Sequence, residues 1–200
     1  VVSVRYVGSI VAFIGSLLAK SVGMVMPLVL VLRVATTGGP ALRRVLATGK
    51  SQLPFWLVGM AYLVGVRQAL QTALVDHPVR GLGVQLLTQS KALVYYLKLL
   101  LVPVGQSVEH QFTLAKGLGD PPVWTALALL GSLACCLVGV WRRSREVFFW
   151  LVWPSIFLLP TFVVPLNVLA NEHRLYVPPM GLAVLLGWGL ATSVSPPLVA

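Results

Sequence analysis

The sequence predicts an all-α protein, a polytopic bundle of about six membrane-spanning helices plus one re-entrant or interfacial helix. Hydrophobic residues make up 58% of the 200 positions and charged residues only 10%. Ordinary soluble domains carry roughly 25% charged residues, too many to match this composition. Apolar runs of spanning length recur along the whole chain, and the alternating ten-residue strands of an outer-membrane barrel are absent from the pattern. These features predict one transmembrane domain over residues 1–200.

The segments follow in order. Residues 4–19, "VRYVGSIVAFIGSLLA", and 22–35, "VGMVMPLVLVLRVA", are joined only by Lys20 and Ser21, so they predict an antiparallel hairpin. Residues 36–53 carry a Gly-Gly-Pro break and three basic residues and read as a loop. A third span runs from Pro54 to Thr72, with Arg67 snorkelling to the interface. Residues 73–91 are polar and contain glycine, which reads as a second loop.

Residues 92–105, "ALVYYLKLLLVPVG", are short for a span, carry Lys98 centrally and run into Pro103. We read Ala92–Val104 as re-entrant or interfacial. Residues 123–141 form the next span. Trp124 and Trp141 lie 17 positions apart. That separation is about 25 Å along a helix, which suits the two aromatic belts of a membrane. The basic turn "RRSR" follows at 142–145. Residues 147–166 form a span kinked or broken at Pro154 and Pro160, and residues 175–194 form the last.

The net charge is +10. The basic residues are scattered between apolar runs, so they mark topology and anionic-lipid contact, and nucleic acid is excluded as a partner. The positive-inside rule places "RRSR" and residues 36–53 in the cytoplasm and "NEHR", residues 171–174, outside. The adjacent Cys135 and Cys136 have neither metal-ligand spacing nor a disulfide pattern. The "GLG" pieces at 81–83 and 117–119 read as turns. The chain opens on Val1 and reads as part of a longer protein.

Each histidine directly follows an acid: Asp76-His77, Glu109-His110 and Glu172-His173. The predicted topology puts all three pairs on the external side. Carboxylates and imidazoles at the mouth of a bundle admit a divalent metal. They equally admit the phosphates of a lipid-linked substrate, aided by Arg174, Arg80, Lys91, Lys98 and Lys20. Solvated loop residues that cap helices are the third reading. No serine or cysteine forms a nucleophile–base pattern with histidine.

Three blocks carry a resemblance. "LLAKSVGMVMPLVLVL", "YYLKLLLVPVGQSVEHQF" and "NEHRLYVPPMGLA" resemble, in the same order, blocks of bacterial membrane glycosyltransferases of the C-type fold. These are relatives of the protein O-mannosyltransferases and often bear tetratricopeptide repeats. The resemblance implies transfer of a sugar from a polyprenyl-phosphate donor at the external face of the bacterial cytoplasmic membrane. It puts the catalytic acid in an external loop upstream of these residues, so no catalytic residue is named here. It implies a donor-phosphate and acceptor surface built from Glu109, His110, Glu172, His173, Arg174 and Tyr176, with Lys20 of the hairpin. The alternative is a non-catalytic accessory subunit of a large membrane complex, with membrane lipids and partner subunits as its contacts.

Overall fold

The computed structural model describes residues 3–73, 81–102, 104–105, 112–163 and 169–194, with the backbone alone at 67–73, 163, 172 and 194. The fold is all-α among the described residues. The chain divides into two compact units, Val1–Pro78 and Val79–Ala200.

In the first unit, α1 (Val4–Ala19) is followed by a 3₁₀ turn (Ser21–Val25), α2 (Met26–Thr36) and α3 (Ala41–Ala73). Tyr6, Ile10, Phe13 and Leu17 recur at helical spacing on α1. They pack with Phe55, Val58 and Tyr62 of α3 and with Met24, Met26 and Leu30. The Phe13 and Phe55 rings lie 5.6 Å apart. Lys20 breaks the hairpin in an extended conformation (φ −158°, ψ 130°). Gly23 then passes so close to α1 that a Cβ there would lie 2.7 Å from Ser16 Oγ.

The predicted loop at 36–53 is far shorter than expected. Only the Gly38-Gly39 pair, both at positive φ, turns the chain. Arg44 Nη1 braces that turn, donating to the Thr37 carbonyl at 3.0 Å and to Thr37 Oγ1 at 3.1 Å. From Ala41 the chain is helical through Pro54, which lies inside α3 and not at its start. The basic residues of this stretch are good helix formers, and their charge concealed the helix.

The second unit holds α4 (Leu82–Leu101), α5 (Pro121–Arg143), α6 (Arg145–Leu158), the short α7 (Pro160–Val163), a 3₁₀ turn (Glu172–Leu175) and α8 (Pro179–Val194). Helix α4 packs on α5, α7 and the 3₁₀ turn, and α6 packs on α5, α7 and α8. The core gathers Ala92, Tyr96, Leu158 and Ala170.

The expected break at Pro160 is present: α6 ends at Leu158 and α7 opens on Pro160, while Pro154 lies inside α6. At 117–119 the chain turns through Gly117, at φ 119°. At 81–83, by contrast, Gly81 is the N-cap of α4 and Gly83 lies within it. The second predicted loop therefore ends early. Helix α4 spans 20 residues from Leu82, so "ALVYYLKLLL" is only its second half.

Helix α5 has 23 residues, and its most apolar stretch has a mean hydropathy of 2.2 with 11% of it buried. Among the described residues it is the helix long and apolar enough to cross a membrane; α1, Ser21–Thr36 and Pro179–Ser193 are apolar but shorter.

Candidate functional site: a polar cap built on helix α4

Helix α4 buries polar side chains that the sequence pattern suggested were in a loop. Gln85, Thr88, Gln89, Ala92, Tyr96 and Leu99 follow helical spacing and are all buried. A buried polar group needs a partner, and most of these have one. Gln85 Nε2 donates to the Thr161 carbonyl at 2.6 Å. Thr88 Oγ1 accepts from the Ala115 N–H at 3.0 Å. Gln89 Oε1 is buried without a hydrogen-bond partner among the described residues.

Residues 112–120 lie as a strap against this helix. Lys91 Nζ donates to the Thr113 carbonyl and pairs with Asp120 Oδ2, both at 3.2 Å. The two side chains are 9% and 13% exposed, so this ion pair is shielded. Lys91 also stands 5.8 Å from the Phe112 ring, which packs on Tyr95. At the end of the strap, Trp124 Nε1 donates to the Leu118 carbonyl at 2.8 Å. Lys91, expected to serve a ligand phosphate, is thus a bolt between α4 and the strap.

One helical turn beyond lies Tyr96, 1% exposed. Its hydroxyl accepts from the Asn171 N–H at 2.8 Å and donates to the Asn171 carbonyl at 3.3 Å. It also accepts a long contact from Arg174 Nη1 at 3.4 Å. A phenol has one donor and two acceptor positions, and all are engaged here. Arg174 Nη1 donates a second bond to the Leu169 carbonyl at 3.0 Å. Asn171 Oδ1 accepts from the His173 N–H at 3.0 Å, capping the 172–175 turn.

The expected site residues fare differently. Arg174 is half-buried and held by its Nη1 edge, while His173 and Tyr176 are exposed beside it. The backbone of Glu172 opens the 3₁₀ turn. Glu109, His110, Asp76, His77 and Arg80 lie outside the described residues. Lys20 belongs to the first unit, at the C-cap of α1. Among the described residues no three histidine, cysteine or acidic side chains gather as metal ligands.

The expected start of the last helix is also shifted. Arg174 does not sit on the first turn of α8, which opens at Pro179. Proline has no N–H, and the N–H groups of Met180 and Gly181 already bond the carbonyls of Val177 and Pro178 at 3.2 and 3.4 Å. The first turn of α8 therefore offers an anion few free donors.

Tyr96, Asn171 and Asp120 were not recognisable as site residues in the sequence. Their roles come from pairings across 29 to 78 positions, and only the polar 3–4 spacing of Gln85, Thr88 and Gln89 carried any signal. Comparison with protein-family models, curated proteins and solved structures gives no match.

Proposed function

We propose that these residues are the membrane-embedded part of a glycosyltransferase that moves a sugar from a polyprenyl-phosphate donor at the external face of a bacterial cytoplasmic membrane. The catalytic acid lies outside these residues. The observation that carries the reading is the anchored Arg174, fixed to Tyr96 and the Leu169 carbonyl, with exposed His173 and Tyr176 on the same turn. A planar guanidinium held in place next to a histidine and a phenol is suited to a phosphate. The blocks that resemble C-type glycosyltransferases supply the donor and the reaction class. In this reading His173 and Tyr176 orient the phosphate or the acceptor, and Glu109, His110 and Glu172 complete the surface.

Membrane placement is supported by α5. Its apolar side chains, including Leu129, Leu133 and Val138, face outward and not into a core. An exposed apolar helix of this length is stable where lipid replaces water. The second half of α3, the broken α6–α7 pair and the shorter α1, α2 and α8 fill out the bundle of about six spans in this reading, with the second half of α4 re-entrant or interfacial.

The second reading, a non-catalytic accessory subunit of a membrane complex, draws on the carboxylates. Of the described acidic side chains, Asp120 is paired with Lys91 and Glu146 Oε1 accepts from Trp150 Nε1 at 2.9 Å. Neither is placed to act as a base.

Binding of radiolabelled decaprenyl phosphate to the chain in phosphatidylcholine vesicles tests the donor site. We expect saturable binding, weakened by His173→Ala and Tyr176→Phe, both at exposed positions, and by Arg174→Lys. Binding that none of these variants changes would overturn the phosphate role. Bound carrier without sugar transfer, together with a partner that co-purifies at fixed stoichiometry, would favour the accessory subunit.

A further inference from the structure

An open groove of about 250 Å³ runs between α4 and α5. Val94 and Tyr95 line one wall, Ala126 and Leu129 the other, and the side chains of Lys91 and Lys98 reach it from α4. The two lysines are seven positions apart, two turns of one helix face or about 10 Å. Their electrostatic states differ. Lys91 is neutralised by Asp120. Lys98 is exposed, and makes no ion pair or hydrogen bond through its ammonium with the described residues. The groove thus combines a mainly apolar lining with one positive charge that no described residue compensates.

The volume is below the roughly 300 Å³ at which small-molecule sites begin, and the groove is open along its length. That shape suits a flexible hydrocarbon chain better than a compact solute. The α5 wall belongs to the first turns of the helix, next to the exposed Trp124. In a membrane this is the interfacial end of a span, and Lys98, about 10 Å along α4 from the Lys91–Asp120 end, reaches the headgroup phosphates there by snorkelling back along the groove.

We propose that this groove binds one anionic phospholipid, its acyl chain against Val94, Ala126 and Leu129 and its phosphodiester on Lys98. The single charge of the phosphodiester matches the ammonium of Lys98, which no described residue compensates. The Lys91–Asp120 pair bounds the groove and keeps the strap off it. The proposal rests on the membrane placement of α5 and is independent of sugar transfer.

The test is native mass spectrometry of the delipidated chain in detergent, titrated separately with dioleoyl phosphatidylglycerol, dioleoyl phosphatidylcholine and decaprenyl phosphate. Wild type should bind one phosphatidylglycerol about fivefold tighter than phosphatidylcholine, the effect of one cation near a membrane surface. Lys98→Gln should remove that preference and Lys98→Arg should keep it. Thr125→Trp, at an exposed position on the groove rim, should weaken both phospholipids by obstruction. Equal binding of the two phospholipids to wild type, or a preference unchanged in Lys98→Gln, would overturn the proposal. Tighter binding of decaprenyl phosphate that is lost in Lys98→Gln would assign the groove to a carrier lipid and overturn it as well. Flotation of the chain with phosphatidylcholine vesicles tests membrane placement separately. A chain that floats without a phosphatidylglycerol preference refutes the groove alone, and one that stays in solution refutes the membrane reading too.

Discussion

The hydroxyl of Tyr96 and the N–H of Asn171 lie 2.8 Å apart across 75 positions of sequence. The same hydroxyl donates to the Asn171 carbonyl, so one buried phenol satisfies both backbone groups of a single residue. Asn171 in turn caps the turn that carries His173 and Arg174. The polar cap is therefore hung from the middle of α4.

Tyr96→Phe keeps the ring and removes the hydroxyl. The Asn171 N–H and carbonyl then lose their partner in a half-buried setting, which costs about 1 kcal/mol. We expect a lower unfolding temperature in detergent and faster proteolysis within residues 171–176. A variant with wild-type values for both would mean that the turn is held by other contacts.

The Lys91–Asp120 pair gives a second expectation. Either residue replaced alone leaves a shielded charge, so Asp120→Ala and Lys91→Ala should each destabilise markedly. The double variant should recover part of the loss, with a coupling of about 1–3 kcal/mol in a double-mutant cycle. Additive losses would show a pair that water screens, as at an open surface.

These two relationships also show what was legible in the sequence. The extent of α1, expected at 4–19 and found at Val4–Ala19, could be read directly, and so could the break at Pro160, because each depends only on local chemistry. Helix α4 could not. Gln85, Thr88 and Lys91 look like loop residues until Thr161, Ala115 and Asp120 are brought to them, and those partners lie 27 to 76 positions away. Arg174 stands out in the sequence as a cation between apolar runs. Its anchor, Tyr96, was hidden inside an apolar run where a tyrosine resembles any other large side chain.

Gly181 separates packing from helix propensity. A Cβ at this position would lie 2.5 Å from the Trp150 carbonyl and 3.0 Å from Trp153 Cβ. Trp153 Nε1 also donates to the Val177 carbonyl at 3.2 Å, which fixes α8 against α6. Gly181→Ala must push the helices apart and should cost about 1–3 kcal/mol. Gly187 and Gly189 lie on the same helix with nothing within 4 Å of their Cβ positions. Alanine there should be neutral or stabilising, by up to about 1 kcal/mol. Thermal unfolding of the three variants checks the contrast, and equal effects would mean that the α6–α8 contact is looser than described.

Membrane placement makes a prediction about the two cysteines. Cys135 and Cys136 are both exposed on α5. Cys135 lies eight positions before the helix end at Arg143, a depth of about 12 Å from that end. If α5 crosses a bilayer, both thiols face hydrocarbon despite their exposure in the protein. A membrane-impermeant maleimide added to chain-containing vesicles should then leave them unmodified, and it should still fail once the vesicles are made leaky. Lipid-soluble N-ethylmaleimide should reach them, as should the impermeant reagent after the membrane is dissolved in denaturing detergent. A control cysteine at exposed Gly119, in a Cys135→Ala/Cys136→Ala background, should react with the impermeant reagent in leaky vesicles, because it lies on the strap before the helix begins. Rapid labelling of Cys135 and Cys136 by the impermeant maleimide in leaky vesicles would place α5 in water. The polar cap, the anchored Arg174 and the α4–α5 groove would then need a soluble context.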